Sequence, residues 1–203
     1  MKMLVMNTCG GVGVVALAEG GAVVAEEALP GKGTSEALMP AVRRLFAATG
    51  WAVRELGVVG VVVGPGSFTG VRVGLAAAKG LCEAGQVKMI AMSRLELVCD
   101  GDGVALLHAG RGEFYCGEFR AGVKVREEIV SGAVVRQLRG AVTCEVQVAG
   151  VLGDAVRMVE EPGAARLVRE VQARVAAGAW SDVALTDANY LRRTDAELML
   201  EAR

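Results

Sequence analysis

Histidine is nearly absent from this chain of 203 residues, His108 being the only one. A zinc site of the H-E-x-x-H kind, or any site built on paired imidazoles, therefore lacks its ligands, which argues against metallohydrolase chemistry. The cysteines, Cys9, Cys82, Cys99, Cys116 and Cys144, are odd in number and form no C-x-x-C pair, so they read as reduced core thiols. Nor is there a surplus of one charge: Lys plus Arg is 22 against Asp plus Glu 23. That near-neutral balance lacks the basic field of a stand-alone nucleic-acid binder, so any nucleic acid would have to be held by a partner. No apolar run reaches the roughly 18 residues of a spanning helix. The nearest, Leu56 to Val71, is broken by Gly57, Gly60, Gly64, Pro65 and Gly66. The uncharged run after Lys2 is interrupted by Asn7, Thr8, Gly10 and Gly11, where a secretory signal needs its apolar centre, so the expected compartment is the cytosol.

What is present is a core-forming composition, 53% hydrophobic with 22% charged, which excludes a disordered chain. Met3–Asn7, Val12–Ala18 and Ala22–Ala28 are short apolar runs separated by Gly-Gly turns, the pattern of a three-stranded meander. Ser35–Thr49 has helical spacing, with Thr34 or Ser35 as N-cap, Pro40 early in the helix and Gly50 as the stop. Val58–Val63 reads as a strand buried on both faces, and Ser67 to about Glu83 as a second helix. Lys88–Ala91 is a strand, Ser93 caps a helical stretch through Val98, and Asp100–Gly103 is a polar joint. The grammar then repeats: strands near Val104–Leu107, Glu113–Arg120 and Val123–Glu127, a helix over Ser131–Leu138, strands at Val146–Ala149 and Val156–Val159, and a helix over Ala164–Ala177. A meander followed by alternating helices and strands, done twice, predicts two α/β lobes, residues 1–100 and a smaller 101–203 that includes the tail.

The most informative segment is Val58–Glu83, VVGVVVGPGSFTGVRVGLAAAKGLCE. Gly70 is followed by Val71, not Lys, so this is no Walker A loop, and Gly64, Gly66 and Gly70 are spaced one residue too long for G-x-G-x-x-G. A helix N-terminus at Ser67 remains, with N–H groups of Phe68, Thr69 and Gly70 that can hold an anion weakly through the backbone; Thr8, Gly64, Gly66, Ser67 and Thr69 are the candidate phosphate contacts. Within the helix Gly70, Gly74 and Ala78 recur at i, i+4 and i+8 beside Val71 and Leu75, a close-approach stripe for packing that is either internal or with another chain.

Gly64–Leu81, GPGSFTGVRVGLAAAKGL, resembles the signature segment of the bacterial TsaB (YeaZ-like) proteins. Asn7-Thr8, the Ser35-Glu36 helix entry with Leu38 and Pro40, Ala109–Tyr115 (AGRGEFY), Gly153-Asp154 and Tyr190-Leu191-Arg192 extend the likeness over essentially the whole chain. The resemblance implies an actin-like, Hsp70-like ATPase (ASKHA) fold of two RNase H-like lobes with mixed sheets. It also implies a non-catalytic paralogue of TsaD, in the formation of threonylcarbamoyladenosine beside the anticodon of tRNAs that read A-starting codons. The partners it implies are a TsaD-like protein as heterodimer, a TsaE-like ATPase, and tRNA through the complex. No cofactor of its own and no metal are expected, with ATP or ADP at the partner complex. The resemblance places the heterodimer contact on the two helices, with Leu38, Val42, Gly70, Val71, Gly74, Leu75 and Ala78 as the expected face, which is also expected to make a homodimer when the chain is alone. The chain departs from the family in carrying Asn7 and His108 where Asp is usual, and Ala188 where Pro is usual. An amide does not hold Mg2+ as a carboxylate does, which weakens the case for a private ATPase site.

Two other readings stand beside this one. A small-molecule kinase or ATPase of the same fold would place Thr8 and the Ser67–Gly70 turn around phosphates and draw a metal ligand from Asp100, Asp102 or Asp154. A glycoprotease-like peptidase would have to use His108, and it lacks a G-x-S-x-G nucleophile elbow.

Overall fold

The computed structural model describes residues 1–99, 101–138, 142–145, 148 and 156–191. The chain divides into two compact units, residues 1–97 with 161–188, and residues 98–160 with 189–203. In the first unit, β1 (Lys2–Asn7), β2 (Gly13–Glu19) and β3 (Ala22–Leu29) form the meander. β4 (Leu56–Val62) and β5 (Lys88–Met92) extend it in parallel, giving the sheet order β3-β2-β1-β4-β5. Strand alternation sorts the side chains of β1 to two faces: Leu4 and Met6 point into the cluster under α1 (Thr34–Thr49) and α2 (Phe68–Gly85), Met3 and Val5 into the opposite one.

That opposite cluster is closed by a helix from the end of the chain. α5 (Ala164–Ala176) lays Leu167, Val168 and Val171 against Met3, Val5, Val58 and Ile90, and Val171 lies so close to Gly60 that a Cβ there would collide with it. The expected division into 1–100 and 101–203 therefore needs correction. Residues 161–188 return to the first unit, because the β1–β4–β5 face would otherwise expose a full apolar layer to water.

The second unit repeats the topology. β6 (Gly103–Gly110), β7 (Glu113–Arg120) and β8 (Val123–Ser131) form an antiparallel meander, and β9 (Val142–Glu145) and β10 (Val156–Val159) extend it in parallel. The order β8-β7-β6-β9-β10 is that of the first sheet. A smaller core of Leu106, Phe114, Cys116, Val130, Val135, Val142, Cys144 and Val148 holds it.

Local details differ from expectation. α1 starts at Thr34 with Gly33 as its left-handed N-cap, and Thr34 Oγ1 donates to the Pro30 carbonyl instead of capping. Pro40 lies beyond the first turn, so the helix forgoes the bond that a residue-40 N–H would give to the Glu36 carbonyl. The helix over Ser131–Leu138 shrinks to α4 (Gly132–Val135), and Ser93 caps α3 (Arg94–Cys99) as expected, its Oγ accepting from the Leu95 N–H at 3.2 Å. Val142–Glu145 forms the strand placed a few residues later by sequence. Asp100, most of Val146–Ala149, Gly153, Asp154 and Arg192 lie outside the described residues.

Candidate functional site

The glycine loop after β4 is built against the end of β1. Ser67 caps α2, its Oγ accepting from the Gly70 N–H at 3.3 Å, while the Ser67 N–H donates to the Cys9 carbonyl at 2.9 Å. Gly66 presses on that same Cys9 carbonyl, and the Arg94 N–H donates to the Gly64 carbonyl at 2.7 Å. Thr8 is 2% exposed, and its Oγ1 donates to the Gly70 carbonyl at 2.6 Å. Burial pushes the Cys9 thiol up to about 12, and its Sγ lies 3.2 Å from the Val62 carbonyl.

These contacts narrow the phosphate reading. The structure does bring Thr8, Gly64, Gly66, Ser67 and Thr69 together, but Thr8 is buried with its hydroxyl committed, Gly64 is buried, and the Gly70 N–H is taken by the cap. Only Ser67 and Thr69 of the set are exposed. Beside the loop, in the first unit, a carboxylate fills the remaining polar space. Glu161 Oε1 accepts from Asn7 Nδ2 at 2.8 Å and from Arg94 Nε at 2.9 Å, and Arg94 Nη2 donates to Glu161 Oε2. The carboxyl lies so close to Gly10 that a Cβ there would overlap it. Glu161 is an anion beside the end of β1, engaged by Asn7 and Arg94, and Asn7 supplies an amide where a metal would need a carboxylate. Among the described residues around this loop, the groups that face it are a poor match to a nucleotide with its metal.

Sequence reasoning passed over Arg94 and Glu161. The usable signal was Arg94 itself, the one cation in MIAMSRLELV, since an Arg in so apolar a run is buried only with a partner. Among the kinase candidates, Asp102 Oδ1 accepts from the Gly122 N–H at 3.1 Å in the second unit. His108 is exposed on β6, edge-on to Phe114 with ring centroids 6.0 Å apart.

The helix surfaces carry the larger correction. Leu38, Val42, Gly70, Val71, Gly74, Leu75 and Ala78, expected to meet a partner, are all buried inside the first unit. The small residues serve the sheet: a side chain at Gly70 would collide with the Thr8 carbonyl, and one at Gly74 with Thr8 Oγ1. α2 carries a second stripe, however, at Phe68, Arg72, Ala76 and Gly80, which faces solvent, with Phe68 49% exposed and the Arg72 guanidinium 3.7 Å above its ring. α1, packed beside it, turns Met39, Arg43 and Ala47 outward. A Cβ at Gly80 would meet nothing within 4 Å. These residues are the solvent-exposed sides of two helices that pack together, with small residues at Ala47, Ala76 and Gly80.

Two units of one strand order, each a meander carried into parallel strands, define an actin-like ATPase (ASKHA) fold. Residues 17–142 match the family model of TsaD, tRNA N6-adenosine threonylcarbamoyltransferase. Over 128 residues the chain is 30% identical to the tRNA threonylcarbamoyladenosine biosynthesis protein TsaB of Escherichia coli (strain K12), covering 59% of this chain and 55% of that protein. Over 105 residues it is 35% identical to the protein of the same name from Bacillus subtilis (strain 168), covering 49% and 46%. The chain spans about half the length of the curated relatives it matches. YeaZ from Pseudomonas aeruginosa shares the fold over 94% of this chain and 99% of its own, with a TM-score of 0.76 at 21% identity. The chain belongs to the TsaD family and is a TsaB-type member of it.

Proposed function

We propose that this chain takes part in making threonylcarbamoyladenosine in tRNA as a non-catalytic partner of a TsaD-like transferase, with a TsaE-like ATPase as third component. The curated relatives named for that biosynthesis support the pathway. The observation that carries the partner role is the pairing of a loop whose Thr8 and Ser67 hydroxyls are committed to Gly70 with an exposed side of α1 and α2. A chain that spends its anion-binding groups on itself is better suited to hold another subunit than to turn over a nucleotide. ATP or ADP then belongs to the complex, and the near-neutral charge leaves tRNA to the partner.

Docking uses the outward face, Met39, Arg43 and Ala47 of α1 with Phe68, Arg72, Ala76 and Gly80 of α2, and a second copy takes the same face when no partner is present. The test is Gly80→Arg, which has free space and replaces glycine with a better helix former. Its fold should be intact while affinity for the TsaD-like partner falls at least about tenfold, a loss of about 1.4 kcal/mol. Undiminished binding by Gly80→Arg and Ala76→Arg together would remove this surface.

A further inference from the structure

We infer that Asn7, Arg94 and the backbone at Gly10 form a carboxylate-binding site in the first unit, that Glu161 occupies it as a built-in ligand, and that Glu161 keeps it closed to carboxylates from solution. The geometry is that of ligand recognition. Arg94 presents a planar fork, Nε to one carboxylate oxygen and Nη2 to the other, the bidentate arrangement matched to a carboxylate. Asn7 adds a third donor to Oε1 at 2.8 Å, and its own orientation is fixed because Oδ1 accepts from the Cys9 N–H at 3.0 Å. Gly10 allows the carboxyl to rest against the main chain, where any side chain would overlap it.

The site is built rather than incidental. Asn7 is fully buried and the Arg94 side chain is 6% exposed, while Glu161, which closes it, is 23% exposed. The donors thus belong to the wall, and the carboxylate is the lid. Arg94 is fixed on α3, directly after β5, and Asn7 at the end of β1, so both stand on rigid elements. Glu161 comes from a distant part of the chain, the first residue of the segment that returns to the first unit. A carboxylate delivered in this way has a high effective concentration, which explains why dilute ligands would not compete. A free amino acid or a peptide C-terminus would gain the site only by lifting Glu161.

The experiment replaces the built-in ligand with a free one. Glu161→Ala deletes a fragment equivalent to acetate and leaves Arg94 and Asn7 in place. Thermal and urea unfolding are followed for wild type and variant in sodium acetate, in inorganic phosphate, and in sodium chloride at matched ionic strength. The variant should be destabilised in chloride and recover with acetate, its unfolding constant falling about tenfold for each tenfold rise in acetate once the site saturates. Each response of the variant is read as its excess over wild type in the same salt, which removes the general stabilisation by excluded anions, and Arg94→Met in the Glu161→Ala background should abolish the excess in acetate. Phosphate, tetrahedral where the fork is planar, should act more weakly. Recovery that chloride equals, that survives loss of Arg94, or that phosphate exceeds would overturn the assignment. If the variant does not fold in chloride, refolding yield in acetate against chloride reads the same binding, and equal yields would overturn it.

Discussion

Gly74→Ala is the sharpest probe of which way α2 faces. On an exposed helix this change should stabilise by about 1 kcal/mol, the propensity difference between the two residues. Here the new methyl would be driven into Thr8 Oγ1, and rotating Thr8 only exchanges the hydroxyl for Cγ2, which lies 3.5 Å from the same point. Overpacking of this kind costs about 1–3 kcal/mol, and displacing Thr8 also gives up its 2.6 Å bond to the Gly70 carbonyl, worth about 1 kcal/mol. The propensity gain is outweighed, and we expect a net loss of about 1–3 kcal/mol, a fall in Tm of about 2–4 °C per kcal/mol for a chain of this size. In a Thr8→Ala background the obstruction is gone and Gly74→Ala should be neutral or stabilising, a coupling of about 2–3 kcal/mol in a double-mutant cycle read by urea unfolding. Stabilisation by the single substitution, or a coupling near zero, would refute the inward placement of this stripe. By the same geometry Gly74→Arg would disrupt the first unit and so cannot report on a partner.

Other consequences follow from burial. Leu167→Ala on α5 should cost about 2–5 kcal/mol, since Leu167 is fully buried against the first sheet; a cost near zero in chemical denaturation would detach α5 from that core. The folded-state pKa of Cys9 is raised from 9.0 to about 12. At pH 8 its thiolate is therefore roughly a thousandfold scarcer than in the unfolded chain, and iodoacetamide should label it only on unfolding. The linked stability runs the same way. The folded chain keeps a proton that the unfolded chain loses, so the contribution of this thiol is lost as pH rises from about 9 to about 12. Rapid native labelling at Cys9, mapped by peptide mass, would contradict its burial.

Much of the fold was legible because backbone demands leave local marks. The continuous apolar run Val58–Val63 marked the interior strand β4, and Gly-Pro-Gly-Ser marked the cap of α2. The facing of α2 was harder, since two stripes of small residues run along it and only one can meet the sheet. The deciding mark was Arg72, which lies with Ala76 and Gly80 and takes that stripe to solvent, whereas Val71, Leu75 and Cys82 accompany Gly70 and Gly74 inward. Amphipathic spacing showed that α5 has an apolar face but not which sheet receives it. The Arg94–Glu161 pair spans 67 residues and the Asn7–Glu161 bond 154, separations that no local pattern encodes.

The most direct test of the proposed role is reconstitution of tRNA modification from the cognate TsaD-like and TsaE-like proteins, tRNA, a threonylcarbamoyl-adenylate source and ATP, with and without this chain. Modified adenosine is scored by mass spectrometry of the digested tRNA. The account predicts modification only when the chain is present, loss with Gly80→Arg, and full activity with Thr69→Ala, whose hydroxyl is placed in no role. Equal modification without the chain would contradict it.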